Sequence, residues 1–105
     1  MTHDEVISMI LEMNLPYAYD HFAEGESPDP PFLVIRYPSS DHFAADGLAY
    51  YKVNRLNLEL YTALKSPNIE LFLEAVLDRH SLFYNKSEVW IESEKLYEVL
   101  YEMEV

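Results

Sequence analysis

The chain has 105 residues, half of them apolar, a quarter charged and none of them cysteine. Nineteen acids against seven bases leave a formal net charge of −12, which disfavours direct binding to DNA, RNA or an anionic membrane surface, because these rely on Lys and Arg. The length supports one domain, residues 1–105, with one modest core, and the missing cysteine excludes disulfide scaffolds, thiolate metal sites and cysteine nucleophiles.

In chain order, Thr2 and Glu5 form a capping box that predicts a helix start. Val6, Met9, Ile10 and Met13 recur at helical spacing behind it, and Pro16 disfavours helix at Leu15, so a helix is expected over residues 3 to about 14. This stretch has no basic n-region and no small-residue cleavage motif, so it is not read as a signal peptide. No apolar run reaches the ~20 residues of a membrane span, and the expectation is a protein made and used in a cytoplasm. Residues 17–22, Tyr-Ala-Tyr-Asp-His-Phe, alternate and read as a strand. The following stretch to Pro31, with one Gly and three Pro in nine residues, reads as a loop.

Residues 32–38, Phe-Leu-Val-Ile-Arg-Tyr-Pro, form a near-continuous apolar run, as expected of a strand covered on both faces. Residues 39–47 read as a second loop, and Asp46-Gly47 as a turn into a long strand over 48–62. These two strands are expected to pair as an antiparallel hairpin with a loop of about ten residues, longer than most hairpin loops. Ser66 and Pro67 cap a second helix, with Ile69, Phe72, Leu73, Val76, Leu77 and His80 as its apolar stripe and Glu70, Glu74 and Asp78 facing away. Residues 88–92 and 94–105, separated by a short turn, are the last two strand candidates. In the latter, Tyr97, Val99, Tyr101 and Met103 alternate with glutamates and a leucine. Helical spacing of Leu96, Val99, Leu100 and Met103 competes, and Tyr and Val enrichment favours strand.

The expected fold is therefore α+β, a two-layer sandwich. A mostly antiparallel sheet of four or five strands carries two helices on one face, in the order α-β-β-β-α-β-β.

Little here points to catalysis. There is no nucleophile motif, two glycines rule out a phosphate-cradling loop, and the reading is non-enzymatic, with no cofactor and no resident metal. A small metal-assisted enzyme using His21 and His42 is the catalytic rival. The nine tyrosines serve either packing or an interface. Phe43, Asp46, Tyr50, Tyr51, Tyr61, Tyr97 and Tyr101 are the candidate oligomer contacts. A two-layer fold leaves one sheet face uncovered, so the surplus length of 48–62 favours assembly. The acidity serves solubility, a function, or both.

The stretches "ADG" before a Tyr/Lys strand, "LELYT", the helix after Lys65 and the closing "IESEKLYEVLYE" carry a resemblance. From about Pro16 to Glu104 the chain resembles small neck proteins of long-tailed phages and prophages of Gram-positive bacteria, the tail terminator or head–tail joining group. The resemblance implies an α+β subunit of a virion, assembled in the bacterial cytoplasm. It implies a homo-oligomeric ring, commonly a hexamer, that meets the major tail protein and the head connector proteins. Neighbouring subunits would touch through sheet edges and extended loops, and DNA would only pass through the bore. With that implication, Glu88, Glu92, Glu94, Glu98, Glu102 and Glu104 become the candidate acidic channel face. Two rivals remain: an acidic inhibitor that mimics DNA, and a small adaptor that binds a host or phage protein at a sheet edge.

Overall fold

The structure is a computed structural model. It describes residues 1–45 and 48–105, with backbone alone for 40–45 and 48–53. Strand β4 (Leu48–Thr62) runs the length of the molecule and organises the rest. Its second half, Leu56–Thr62, alternates Leu56, Leu58 and Leu60 with Asn57, Glu59 and Tyr61, and the three leucines are fully buried. On one side of this half lies β2 (Phe32–Arg36), antiparallel, with Leu33 opposite Leu60. On the other lies β6 (Leu96–Glu104), also antiparallel, with Leu58 opposite Tyr101. A three-residue strand β1 (Tyr17–Tyr19) joins β2 in parallel, and β5 (Tyr84–Ile91) joins β6 antiparallel. The sheet order is β1-β2-β4-β6-β5.

Both helices lie on one face of this sheet. Helix α1 (His3–Leu11) contributes Val6, Met9 and Ile10, and α2 (Pro67–Arg79) contributes Leu73, Val76 and Leu77. They share one core with Leu33, Ile35, Leu56, Leu58, Leu60, Val99, Tyr101 and Met103. The capping box closes α1 as expected: the Glu5 amide donates to Thr2 Oγ1 and the Thr2 amide to the Glu5 carboxylate. The Ser66 cap and Pro67 begin α2. At their far ends Glu12 joins the two helices, through Arg79 Nη2 at 3.3 Å and His80 Nε2 at 2.6 Å. The α+β sandwich is thus present, and the C-terminal segment is strand. No helix among the described residues is long and apolar enough to cross a membrane.

Five local expectations are corrected. Helix α1 stops at Leu11, with Glu12 as its C-cap and Asn14 in the left-handed region, before Pro16 is reached. β1 ends at Tyr19 because Asp20 has φ of 70°, which breaks the extended run read to residue 22. The segment read as a loop over 39–47 contains a strand, β3 (Ser40–Ala45), paired along β4 from Leu48 to Asn54. Phe72 is 43% exposed, since its position lies on the flank of α2 and outside the core stripe. Glu70 and Glu74 do not face away, because they fold over the β5 edge to meet lysines.

Candidate functional site

Strand β4 has two different environments. From Arg55 to Thr62 it is paired with β6, and over Asn57–Tyr61 with β2 as well. From Leu48 to Val53 its ladder partner is β3 alone. Strands β3 and β4 therefore continue beyond the five-stranded body as a two-stranded ribbon. At about 3.4 Å per residue the ribbon adds roughly 20 Å. The molecule measures 50 × 30 × 23 Å, and its radius of gyration is 15.0 Å, against about 13 Å for a compact chain of 100 residues. An isolated two-stranded hairpin is at best marginally stable in water.

The opposite feature is the strand β5. It ends the sheet, is eight residues long, and has exposed residues at every position but its two ends. Val89 and Trp90 on it, and Phe83 just before it, are exposed large apolar side chains. β1, at the other edge, has only three residues. Charge follows the same division. Residues 40–53 hold Asp41, Asp46 and Lys52, and β5 holds Lys86 and Glu88. Nearly all of the net charge of −12 therefore lies outside these two segments.

On the helix side, β5 is tied to α2 by an ionic network. Lys86 Nζ reaches Glu70 Oε1 and Glu74 Oε2, each at 2.8 Å, and Lys65 Nζ reaches Glu70 Oε2 at 2.7 Å and also Glu88. Tyr101 Oη donates to Glu74 at 2.8 Å. Burial pushes the carboxyls of Glu70 and Glu74 up, but donors from Lys65, Lys86 and Tyr101 outweigh it and hold both below the ordinary range. The hydrogen bonds to Glu70 and Glu74 raise Lys86 in turn.

The other sheet face has no helix. Glu59, only 7% exposed, receives Arg36 Nε at 3.1 Å and Tyr61 Oη at 2.6 Å. Tyr61 Oη also lies 3.4 Å from Glu98 Oε2, and its ring stacks on Phe32 at 5.2 Å. Burial, then the charge of Glu59, raises the Glu98 carboxyl. The loop over residues 20–28 folds across this face, with Phe22 edge-on to Phe32 at 5.3 Å. That contact explains why Phe32 and Val34 are buried although no helix covers them.

The candidate interface residues separate accordingly. Asp46 lies outside the described residues. Phe43, Tyr50 and Tyr51 fall on the ribbon by backbone, and their side chains lie outside the described ones. Tyr97 packs against Trp90 at 4.7 Å beside Lys65. Tyr61 is half-buried in the cluster just described, and Tyr101 is fully buried under α2. Tyr101 therefore offers no surface to a neighbour: strand alternation put it on the same face as Met103, and that face is the one the helices cover.

The six glutamates do not form one face either. Glu98, Glu102 and Glu104 alternate along β6 on the helix-free side, in register with Tyr61, Asn57 and Arg55. Glu88 is opposite Val99, on the helix side, and pairs with Lys65. Glu92 and Glu94 sit in the β5–β6 turn, where Glu92 meets Lys95 and Trp90 Nε1. The carboxylate beside Glu59 is Glu98. His21 Nδ1 lies 3.1 Å from Asp20 Oδ2, and among the described residues no three His, Asp or Glu side chains converge as metal ligands would.

Compared with models of known protein families and with curated protein sequences, the chain matches none.

Proposed function

We propose that this chain is a structural subunit of a phage neck, a tail terminator or head–tail joining protein that works as a ring of identical copies. The observation that carries the reading is the ribbon. Six residues of β3 and the first part of β4 form a two-stranded extension beyond the sheet, in a chain whose sheet also ends in the eight-residue strand β5, paired on one side only. Two different incomplete edges on one subunit suit a head-to-tail contact, which closes into a ring when the rotation allows. Both edges are close to neutral in an otherwise acidic protein, so copies meet there without strong repulsion. Glu98, Glu102 and Glu104 on the helix-free face would then line the bore, where carboxylates keep passing DNA from sticking. The major tail protein and the head connector would be the axial partners, and the virion the final location. Six copies is the number the resemblance implies.

Native mass spectrometry of the full chain, alone and mixed with the major tail protein from the same phage or prophage, tests this. A closed ring of one size in either sample is the expected result. Monomer alone in both, at concentrations up to hundreds of micromolar, would overturn it.

A further inference from the structure

The helix-free face carries a second feature that the assembly reading does not use. Beneath the 20–28 loop is a groove of about 340 Å³. Phe32, Val34, Tyr61 and Leu96 form its apolar floor, and Phe22 forms one wall. Its charged rim is mainly acidic, with Glu24 and Glu94 against Arg36, and Arg36 is already engaged by Glu59. Glu98 adjoins the groove through Tyr61 Oη, at 3.4 Å. Two carboxylates, Glu59 and Glu98, thus share one guanidinium and one phenol.

We propose that this groove binds an extended segment of a different protein, through an aromatic or long aliphatic side chain followed by a lysine or arginine. The apolar side chain lies on Phe32 and Tyr61 against Phe22. The cation reaches Glu98 and pairs with it directly, as Arg36 pairs with Glu59. Charge complementarity selects a basic partner, and the chain's own formal net charge of −12 argues that it is a different protein. Every lysine and arginine whose side chain is described, Arg36, Arg55, Lys65, Arg79, Lys86 and Lys95, already stands in an ion pair of its own subunit. Among the described cations, a second copy would have to break one of these to offer it. A small apolar floor beside one accurately placed charge is also how peptide grooves gain selectivity.

The proposal stands whether or not the chain forms a ring, and it is tested by titrating the isotope-labelled full chain with acetyl-Phe-Lys-amide while following backbone amides by NMR. Saturable shifts centred on Phe22, Phe32, Tyr61 and Leu96 are expected. Acetyl-Phe-Gln-amide and acetyl-Ala-Lys-amide should each bind more weakly. Glu98→Gln should weaken the Phe-Lys probe about fivefold, as loss of a half-exposed ion pair does. Glu102→Gln, on the same strand and face, should leave it unchanged. Phe22→Ala provides a second reading that leaves the sheet untouched, and it too should weaken the probe. Shifts spread evenly over the acidic surface, or equal effects of Glu98→Gln and Glu102→Gln, would overturn the proposal, as would tighter or equal binding of the Ala-Lys probe.

Discussion

One strand, β4, is used twice. Its second half lies between β2 and β6 under two helices, with Leu56, Leu58 and Leu60 sealed from water. Its first half leaves the body and has a ladder with β3 alone. Burial explains the second half completely: about 25 cal/mol per Å² of apolar surface removed from water stabilises it. The first half has only the β3 ladder to hold it beyond the five-stranded body, and its side chains before Asn54 lie outside the described ones. A strand that continues past its own core is the physical argument for a partner, and it is the reason the assembly reading is preferred to a self-sufficient monomer.

The contrast can be broken or sharpened by substitution. Leu58→Ala, in the half between β2 and β6, should lower unfolding stability by about 3 kcal/mol, the usual size for a leucine deleted from a packed core. Urea unfolding measures it. Lys86→Met should follow, lowering stability by about 1–2 kcal/mol, because Glu70 and Glu74 keep their partly buried carboxylates with fewer donors.

The two faces of the sheet should respond to acid with opposite sign. Glu70 and Glu74 have folded-state pKa values below those of the unfolded chain. Their contribution is complete above the unfolded carboxylate range and fades as pH falls through the folded values. Glu98 is raised, so its ionised form opposes folding near neutrality, and that opposition fades as pH falls below its folded pKa and is gone below the unfolded carboxylate range. Glu98→Gln should therefore stabilise the chain at pH 7 by less than about 1 kcal/mol, and the gain should vanish near pH 4. Urea midpoints collected from pH 3 to 8 read both effects. The smallest change in unfolding belongs to Ala49→Pro in the ribbon. It removes a backbone donor outside the core and should shift stability by less than about 0.5 kcal/mol, while reducing any ring seen by native mass spectrometry.

Most of the fold was legible because periodicity follows burial. Val6, Met9, Ile10 and Met13 marked the inner face of α1, Leu56, Leu58 and Leu60 that of β4, and the apolar run of β2 its cover on both sides. β3 was not legible. Ser-Asp-His-Phe-Ala-Ala has no alternation and begins with loop-forming residues, and its extended form rests on backbone pairing with β4. Tyr101 and Glu98 show a second limit. Alternation along β6 separates them onto opposite faces, yet nothing local says which face receives the helices. The Glu70–Lys86 and Glu74–Lys86 pairs join residues on separate elements that meet only when α2 docks over β5. The groove under residues 20–28 had no sequence signal beyond an aromatic, Phe22, within a proline-bounded loop.

The central claim is that the weakly charged ribbon of one copy meets the neutral β5 edge of the next. A chain without cysteine allows a direct measurement: prepare Ala49→Cys and Ser87→Cys separately, mix them under oxidising conditions, and compare disulfide-linked species by mass spectrometry. The expected result is a heterodimer that forms well above the statistical share, with both homodimers suppressed. Cross-links at the random ratio, or none in a sample that is nonetheless oligomeric, would contradict it.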